Sequence, residues 1–406
     1  MIRTIFKNTS FRIHTILKSP SRGDLGGLFL LLFLLSAFTI SKAQKAPIMG
    51  WSSWNNFRIN ISEKMIREQA DAMIASGLYD AGYRYINIDD GYFGGRDAKG
   101  NLFADKKKFP GGMKKLVDYI HAKKLKAGIY TDAGINTCGS YYDKDKKGIG
   151  SGIYGHSLDD CTLFFREWGF DFIKMDWCGG EKMELKPEET YPRIIDYIHN
   201  IDSAIVFNVC CWRFPGDWAI KRADSWRISS DIKAEFSSIL KIIDLNADLS
   251  KYASAGHYND MDMLQVGRGM TYDEDKSHFS MWCMLNSPLL AGNDLRKMTP
   301  QTIEILTNKE LIALNQDAGF KQATRLSSTD DVDVWLKPLG INADAKAIAI
   351  LNRSNAEKSY TFTAKSLNLK RSALLRDLWL HKDLGKIGKE QKFTIPAHGI
   401  IVLKIK

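Results

Sequence analysis

From about residue 46 the chain alternates short, continuous apolar runs with stretches whose apolar positions recur every three or four residues. The first kind reads as strands buried on both faces, the second as helices covering them, and their alternation is the signature of a βα architecture. The strand candidates are Ile48–Trp54, Tyr83–Asp90, Leu125–Thr131, Phe170–Asp176, Ala204–Cys210, Ser225–Ser229, Tyr252–Tyr258 and Phe279–Leu285. Between them, Ile66, Ala70, Met73 and Ile74 fall on one helical face, with Ser62 as N-cap and Gly77 as stop. Leu116, Val117 and Ile120 repeat the pattern after Pro110-Gly111-Gly112. Eight strands over about 250 residues predict an α/β fold of the (β/α)8 TIM-barrel type. Several strands end in carboxylates or other polar groups: Asp89-Asp90, Tyr130 to Asp132, Asp176, Asp231, Asp260 and Asp262. Active sites of such barrels lie at that edge.

The pattern changes after Asn315-Gln316-Asp317. Val332–Leu336, Ala347–Leu351, Tyr360–Phe362, Ala373–Leu375 and Gly399–Lys406 are short runs separated by turn residues, which predicts a small C-terminal antiparallel β-sandwich domain. The expected division is a catalytic barrel over 44–318 and the β domain over 319–406.

Residues 1–43 stand apart. A basic start, the apolar run Leu25–Ile40 and Ser41-Lys42-Ala43 before Gln44 read as a secretory signal of bacterial form. The run is shorter than the roughly 20 residues of a spanning helix. The expected location is therefore periplasmic or extracellular, with no membrane attachment after cleavage. Removing this segment, with six basic residues and Asp24, takes the net charge from +10 to +5. The lysine clusters at 106–108, 123–124 and 144–147 read as solvated turns, and nothing resembles a nucleic-acid footprint. Six cysteines in so long a chain are not a disulfide scaffold, and no spacing suits zinc. Asp143-x-Asp145-x-x-Gly148 lacks the glutamate of a calcium loop, since Tyr154 stands at its twelfth position.

Two segments carry chemistry: Phe172-Ile-Lys-Met-Asp176-Trp-Cys178 and Trp226-Arg-Ile-Ser-Ser-Asp231. Each puts one carboxylate where a strand stops. A nucleophile and a proton donor on different strands of one barrel suffice to break a glycosidic bond with retention. Lys174 and Asp176, two apart on a strand, project to the same side, and the ammonium favours an ionised nucleophile. A bare structural ion pair is the alternative for this pair taken alone.

Beside these, Met49-Gly50-Trp51-x-x-Trp54, Asn87-Ile-Asp89-Asp90-Gly91, Phe109-Pro-Gly-Gly112, Gly128-Ile-Tyr130-Thr-Asp-Ala-Gly134, Asn259-Asp-x-Asp262-Met263-Leu264 and Asn293-Asp-Leu-Arg296 occur in order. Together they resemble glycoside hydrolase family 27, the α-galactosidases and α-N-acetylgalactosaminidases. The resemblance implies Asp176 as nucleophile and Asp231 as acid/base, the latter with its pKa raised by the neighbouring anion. It implies Asp89 and Asp90 on the sugar 6- and 4-hydroxyls, and Trp51 and Tyr130 as walls. Asp262 and Met263 close the pocket, and Lys174 and Arg227 attend the carboxylates or a hydroxyl. It also implies a Cys138–Cys178 disulfide, and no cofactor or metal. Cys211 and Trp212 occupy the loop that contacts the 2-hydroxyl, where the galactosidases usually carry Glu before the Trp. Cys211 leaves room for an N-acetyl group and Phe214 removes it. The expected activity is hydrolysis of terminal α-D-galactosyl residues from a small-molecule, oligosaccharide or polysaccharide substrate. α-N-acetylgalactosaminidase and β-L-arabinopyranosidase are alternatives on the same fold. A non-catalytic carbohydrate-binding barrel is the alternative from another class, and a metal-dependent hydrolase would need more than His257 among the strand-end groups.

Overall fold

The computed structural model describes residues 46–367 and 373–406; the secretory-signal reading of residues 1–43 falls outside them. Eight parallel strands form one sheet: β1 Met49–Ser52, β2 Tyr85–Asn87, β3 Lys126–Asp132, β4 Phe172–Asp176, β5 Val206–Val209, β6 Ser225–Arg227, β7 Tyr258–Asp260 and β8 Leu289–Ala291. They are ordered β8-β1-β2-β3-β4-β5-β6-β7. A parallel bridge from Leu264, just past β7, to Ala291 of β8 brings the two ends of the curl together. Nearly every strand residue is buried, as continuous apolar runs require when helices cover one side and a filled lumen the other.

Helix α1 (Glu63–Ala75) shows why the covering layer forms where it does. Ser62 accepts from the Met65 amide at 3.3 Å, Ile66, Ala70 and Met73 are buried, and the chain leaves the helix at Gly77, whose φ of 82° suits glycine. In α2 (Met113–Ala122), Leu116, Val117 and Ile120 are buried by the same rule.

The eighth strand departs from expectation. Phe279–Leu285 is not a strand but the end of helix α4 (Tyr272–Met284), and β8 follows it at Leu289–Ala291. This helix is buried on every side from Ser277 to Met284, so it shows no polar stripe and its apolar run imitates a buried strand. The legible signal was the capping box of Thr271 and Glu274. The seventh strand also begins later than expected, at Tyr258, because Ser250–Tyr252 is a 3-10 turn.

Beyond the barrel, six antiparallel strands form one sheet with Ala345–Asn352 and Ile400–Ile405 at its centre and Val332–Leu339 beside the former, and Lys358–Phe362 pairs with Gln391–Ile395 as a second, two-stranded sheet. The alternation of the central strands divides their side chains between two cores. Val334, Ile348, Ile350 and Leu403 pack with Phe362 and Ile395 of the small sheet, whereas Trp335, Ala347, Ala349 and Val402 join the barrel core. Helix α4 meets this face through Ser277, which donates to the His398 carbonyl at 2.6 Å, and through Ser280, which accepts from Trp379 Nε1 at 3.0 Å.

Candidate active site

The carboxyl ends of the strands carry a cleft of about 320 Å³ lined by Trp54, Arg58, Asp89, Asp90, Tyr130, Cys138, Tyr142, Lys174, Asp176, Cys178, Trp212 and Asp231. Its floor is charged and buried. Lys174 Nζ lies 3.1 Å from Asp89 Oδ2 and 3.6 Å from Asp176 Oδ2, so one ammonium bridges the two carboxylates. The Tyr130 ring lies 5.4 Å from the same nitrogen. Asp176 also accepts from the Trp177 amide at 3.1 Å. Burial pushes its carboxyl up; Lys174 opposes this, Asp231 and Asp89 add to it, and the balance is upward.

Asp90 is held from both sides, accepting from Gly91 N at 2.7 Å and Gly139 N at 2.6 Å. Gly139 lies on the short helix α3 (Cys138–Tyr142), which the disulfide Cys138–Cys178 ties to the residues following β4. The close approach of these two segments needs glycine: a Cβ on Gly134 would sit 2.1 Å from the Gly179 carbonyl carbon. Asp132, at the end of β3, accepts from the amides of Gly134 (2.7 Å) and Gly179 (2.9 Å) at the same junction. Asp132, Cys138 and Cys178 draw within 4.8 Å of one another, but the two sulfurs are bonded to each other and offer no thiolate to a metal. The other cysteines, Cys161, Cys210, Cys211 and Cys283, are free and buried.

Asp231 stands at the lip, its side chain 64% exposed. The expected upward shift of its pKa is not what the structure gives. Burial of its surroundings pushes the carboxyl up, but Arg227 Nη2 at 3.1 Å, with Lys174, outweighs this and holds it below the usual range. Arg227, expected to serve the nucleophile or a sugar hydroxyl, joins Asp231 to Asp262, 2.7 Å from Asp262 Oδ2. Asp262 adopts a left-handed backbone (φ 76°), fixed because its carboxylate also accepts from the Ile232 and Met263 amides.

Not all the expected residues meet in the cleft. Trp51 is fully buried, its Nε1 donating to the Asn293 carbonyl at 2.7 Å, and the aromatic wall expected of it is supplied by Trp54. Met263 and Asp262 line a small cavity inside the barrel, beneath the cleft, with Asn87, Asn208 and Asp260. Cys211 is buried with its sulfur 3.7 Å from the Arg213 carbonyl, while Trp212, at φ 57°, reaches the cleft. Phe214, expected to narrow the pocket, stacks on Tyr252 at 4.5 Å and is absent from the cleft wall. His257 bonds the Ala223 carbonyl ahead of β6, at the opposite end of the strands. Sequence reasoning missed Trp54, Arg58 and Tyr142. Trp54 stood within a recognised motif, whereas Tyr142 carried no signal of its own.

The residues 46–317 match the family described as "Alpha galactosidase A", and 329–405 match "Alpha galactosidase C-terminal beta sandwich domain". The chain belongs to the α-galactosidase family, glycoside hydrolase family 27. It is 41% identical over 394 residues to α-galactosidase A of Cellvibrio japonicus, covering 91% of this chain and 94% of that one. Among solved structures, α-galactosidase I of Mortierella vinacea superposes with a TM-score of 0.81 at 32% identity, over 89% of this chain and 96% of that one. The α-galactosidase of Saccharomyces cerevisiae, solved with raffinose, gives 0.75 at 26% identity, over 89% and 97%.

Replacing Cys138 and Cys178 together by Ser is expected to lower unfolding stability by about 3–4 kcal/mol, the entropy of closing a separation of 40 residues; the denaturation midpoint reads this directly. Stability is also expected to depend on pH. Burial first of all raises Asp262 to about 6, Asp90 and Asp275 to about 7, and Asp132 to about 8. Between an unfolded value near 4 and these folded values, the folded chain holds protons that the unfolded chain has released, so stability falls as pH rises. His278, lowered to about 3, opposes this below pH 6.5, and Lys337, lowered to about 7, opposes it above pH 7, each as a single group. The melting temperature is expected to be lower at pH 7.5 than at pH 5.5, and an increase across that interval would contradict the assignment.

Proposed function

We propose that this protein removes terminal α-D-galactosyl residues by double displacement, with Asp176 as nucleophile and Asp231 as acid/base. The observation that carries the reading is the pair of carboxylates in one cleft, one buried on the floor and the other exposed at the lip. The names of the family and of its relatives support the substrate.

The galactosyl ring fills the floor, where Asp89 and Asp90 accept from hydroxyls and Trp54 and Tyr130 flank it. Lys174 favours the anionic form of Asp176 against the upward pull of burial, and Asp176 attacks the anomeric carbon. Asp231 delivers a proton to the departing oxygen. Arg227 favours the ionised form of that carboxyl; a seated substrate displaces water from this exposed side chain, and the loss of hydration raises its proton affinity. Once Asp176 is esterified its charge is gone, which favours the ionised form in which proton delivery leaves Asp231; that carboxylate then takes a proton from the water that releases the sugar. The protein is further proposed to act after export, a setting in which the Cys138–Cys178 bond persists; among the described residues no helix is long and apolar enough to cross a membrane.

A second reading, α-N-acetylgalactosaminidase, draws support from Phe214, whose stacking on Tyr252 takes it off the cleft wall. Purified protein assayed on aryl α-D-galactoside, aryl α-N-acetylgalactosaminide and aryl β-L-arabinopyranoside separates the readings. The expected result is a preference for the first. Preference for the second would replace it, and turnover of none would return the chain to a binding role.

A further inference from the structure

Helix α3 ends at Tyr142, a residue 63% exposed yet part of the cleft wall. Its backbone is secured on both sides. Four residues earlier Cys138 is bonded to Cys178, and its amide donates to the Tyr130 hydroxyl at 3.2 Å. The next residue, Asp143, receives a two-pronged ion pair from Arg58, with both contacts at 2.6 Å. Arg58 in turn lies over the Trp54 ring at 4.3 Å and takes a left-handed backbone (φ 47°). Trp54, Arg58, Asp143 and Tyr142 therefore form a continuous rim, contributed by the loops after β1 and β3 and clamped by one salt bridge. An Arg–carboxylate fork is geometrically specific, so it fixes position as well as adding energy.

The floor below this rim is closed by buried Asp89, Asp90 and Lys174, and the exposed carboxylate of Asp231 marks where the scissile oxygen comes to rest. Whatever is attached through that oxygen must lie on the solvent side, at the level of Tyr142. We propose that Tyr142 is a specificity-determining platform for the leaving group, which is a pyranose ring of an oligosaccharide or polysaccharide stacking on the exposed aromatic face, with Asp143 and Arg58 as positioning residues. This rests on the hydrolytic reading above. Anchored, solvent-facing aromatic rings suit sugar faces because they offer apolar area with little conformational entropy to lose.

The test uses two substrates that share the galactosyl group. Raffinose presents sucrose as leaving group, with its glucopyranose next to the scissile oxygen; α-D-galactosyl fluoride presents only fluoride. In Tyr142→Ala the ratio of kcat/KM for raffinose to that for the fluoride is expected to fall about tenfold, the size of one lost stacking contact. Tyr142→Phe, which keeps the ring, is expected to hold the ratio within about twofold of the parent. Asp143→Ala, which frees the loop but keeps the ring, is expected to give an intermediate fall. An unchanged ratio in Tyr142→Ala, or an equal loss on both substrates, would overturn the proposal. Failure of the parent protein to cleave the fluoride would instead overturn the hydrolytic reading beneath it.

Discussion

Asp176→Ala is expected to remove galactoside hydrolysis almost completely, lowering kcat by about 10⁴-fold or more, as loss of a nucleophile does elsewhere. The reason is positional. Asp176 ends β4 next to β3, in register with Asp132, and its carboxylate lies buried within 3.6 Å of Lys174. Among the described residues, the carboxylates paired with Lys174 are Asp176 and Asp89, and Asp89 already receives Lys174 at 3.1 Å and the Asp90 amide at 2.9 Å. A loss of activity alone would also follow from a collapsed site, so a second readout is needed. Azide fits the space of a missing carboxylate; entering from the nucleophile's face of the sugar, it would yield the β-galactosyl azide. Recovery of that product from an activated galactoside would identify the role. A folded variant with more than a few per cent of parental activity would refute it.

Asp231→Ala carries the second largest expected effect, and its size should depend on the leaving group. With raffinose, whose leaving oxygen needs a proton, kcat/KM is expected to fall by about 10²–10⁴-fold, the contribution of a positioned general acid. With α-D-galactosyl fluoride the first step needs little acid assistance, so the loss should be much smaller there. Azide should again restore turnover, now giving the α-galactosyl azide, since it attacks the galactosyl-enzyme from the face that water uses. An equal loss on both substrates would mean that Asp231 only holds Arg227 in place.

Much of this site was legible because barrel strands advertise themselves. Phe172–Asp176 and Ser225–Arg227 are runs buried at every position but Lys174, so the carboxylates at and just beyond their ends were assignable to one edge from the sequence. The same rule failed at Phe279–Leu285, where complete burial erased the helical stripe and only the Thr271–Glu274 cap betrayed the helix. Trp51 and Trp54 show a finer limit. Both belong to one motif, but β1 stops at Ser52 and a helical turn begins at Trp54, rotating the second ring into the cleft and leaving the first in the core. Arg227 lies among carboxylates, yet its bond to Asp262 depends on a left-handed residue in the loop after β7, which no pattern of apolar positions reports. Tyr142 belongs to the same class: its place follows from a disulfide and from an ion pair spanning 85 residues of sequence.

The central claim, that two carboxylates act in turn through a covalent galactosyl-enzyme, is tested most directly by the anomeric configuration of the first sugar released. Proton NMR of an aryl α-D-galactoside hydrolysis, followed before mutarotation sets in, is expected to show α-galactose appearing first and β-galactose only later. Initial release of β-galactose would mean single displacement by water and would contradict the assignment of Asp176 as nucleophile.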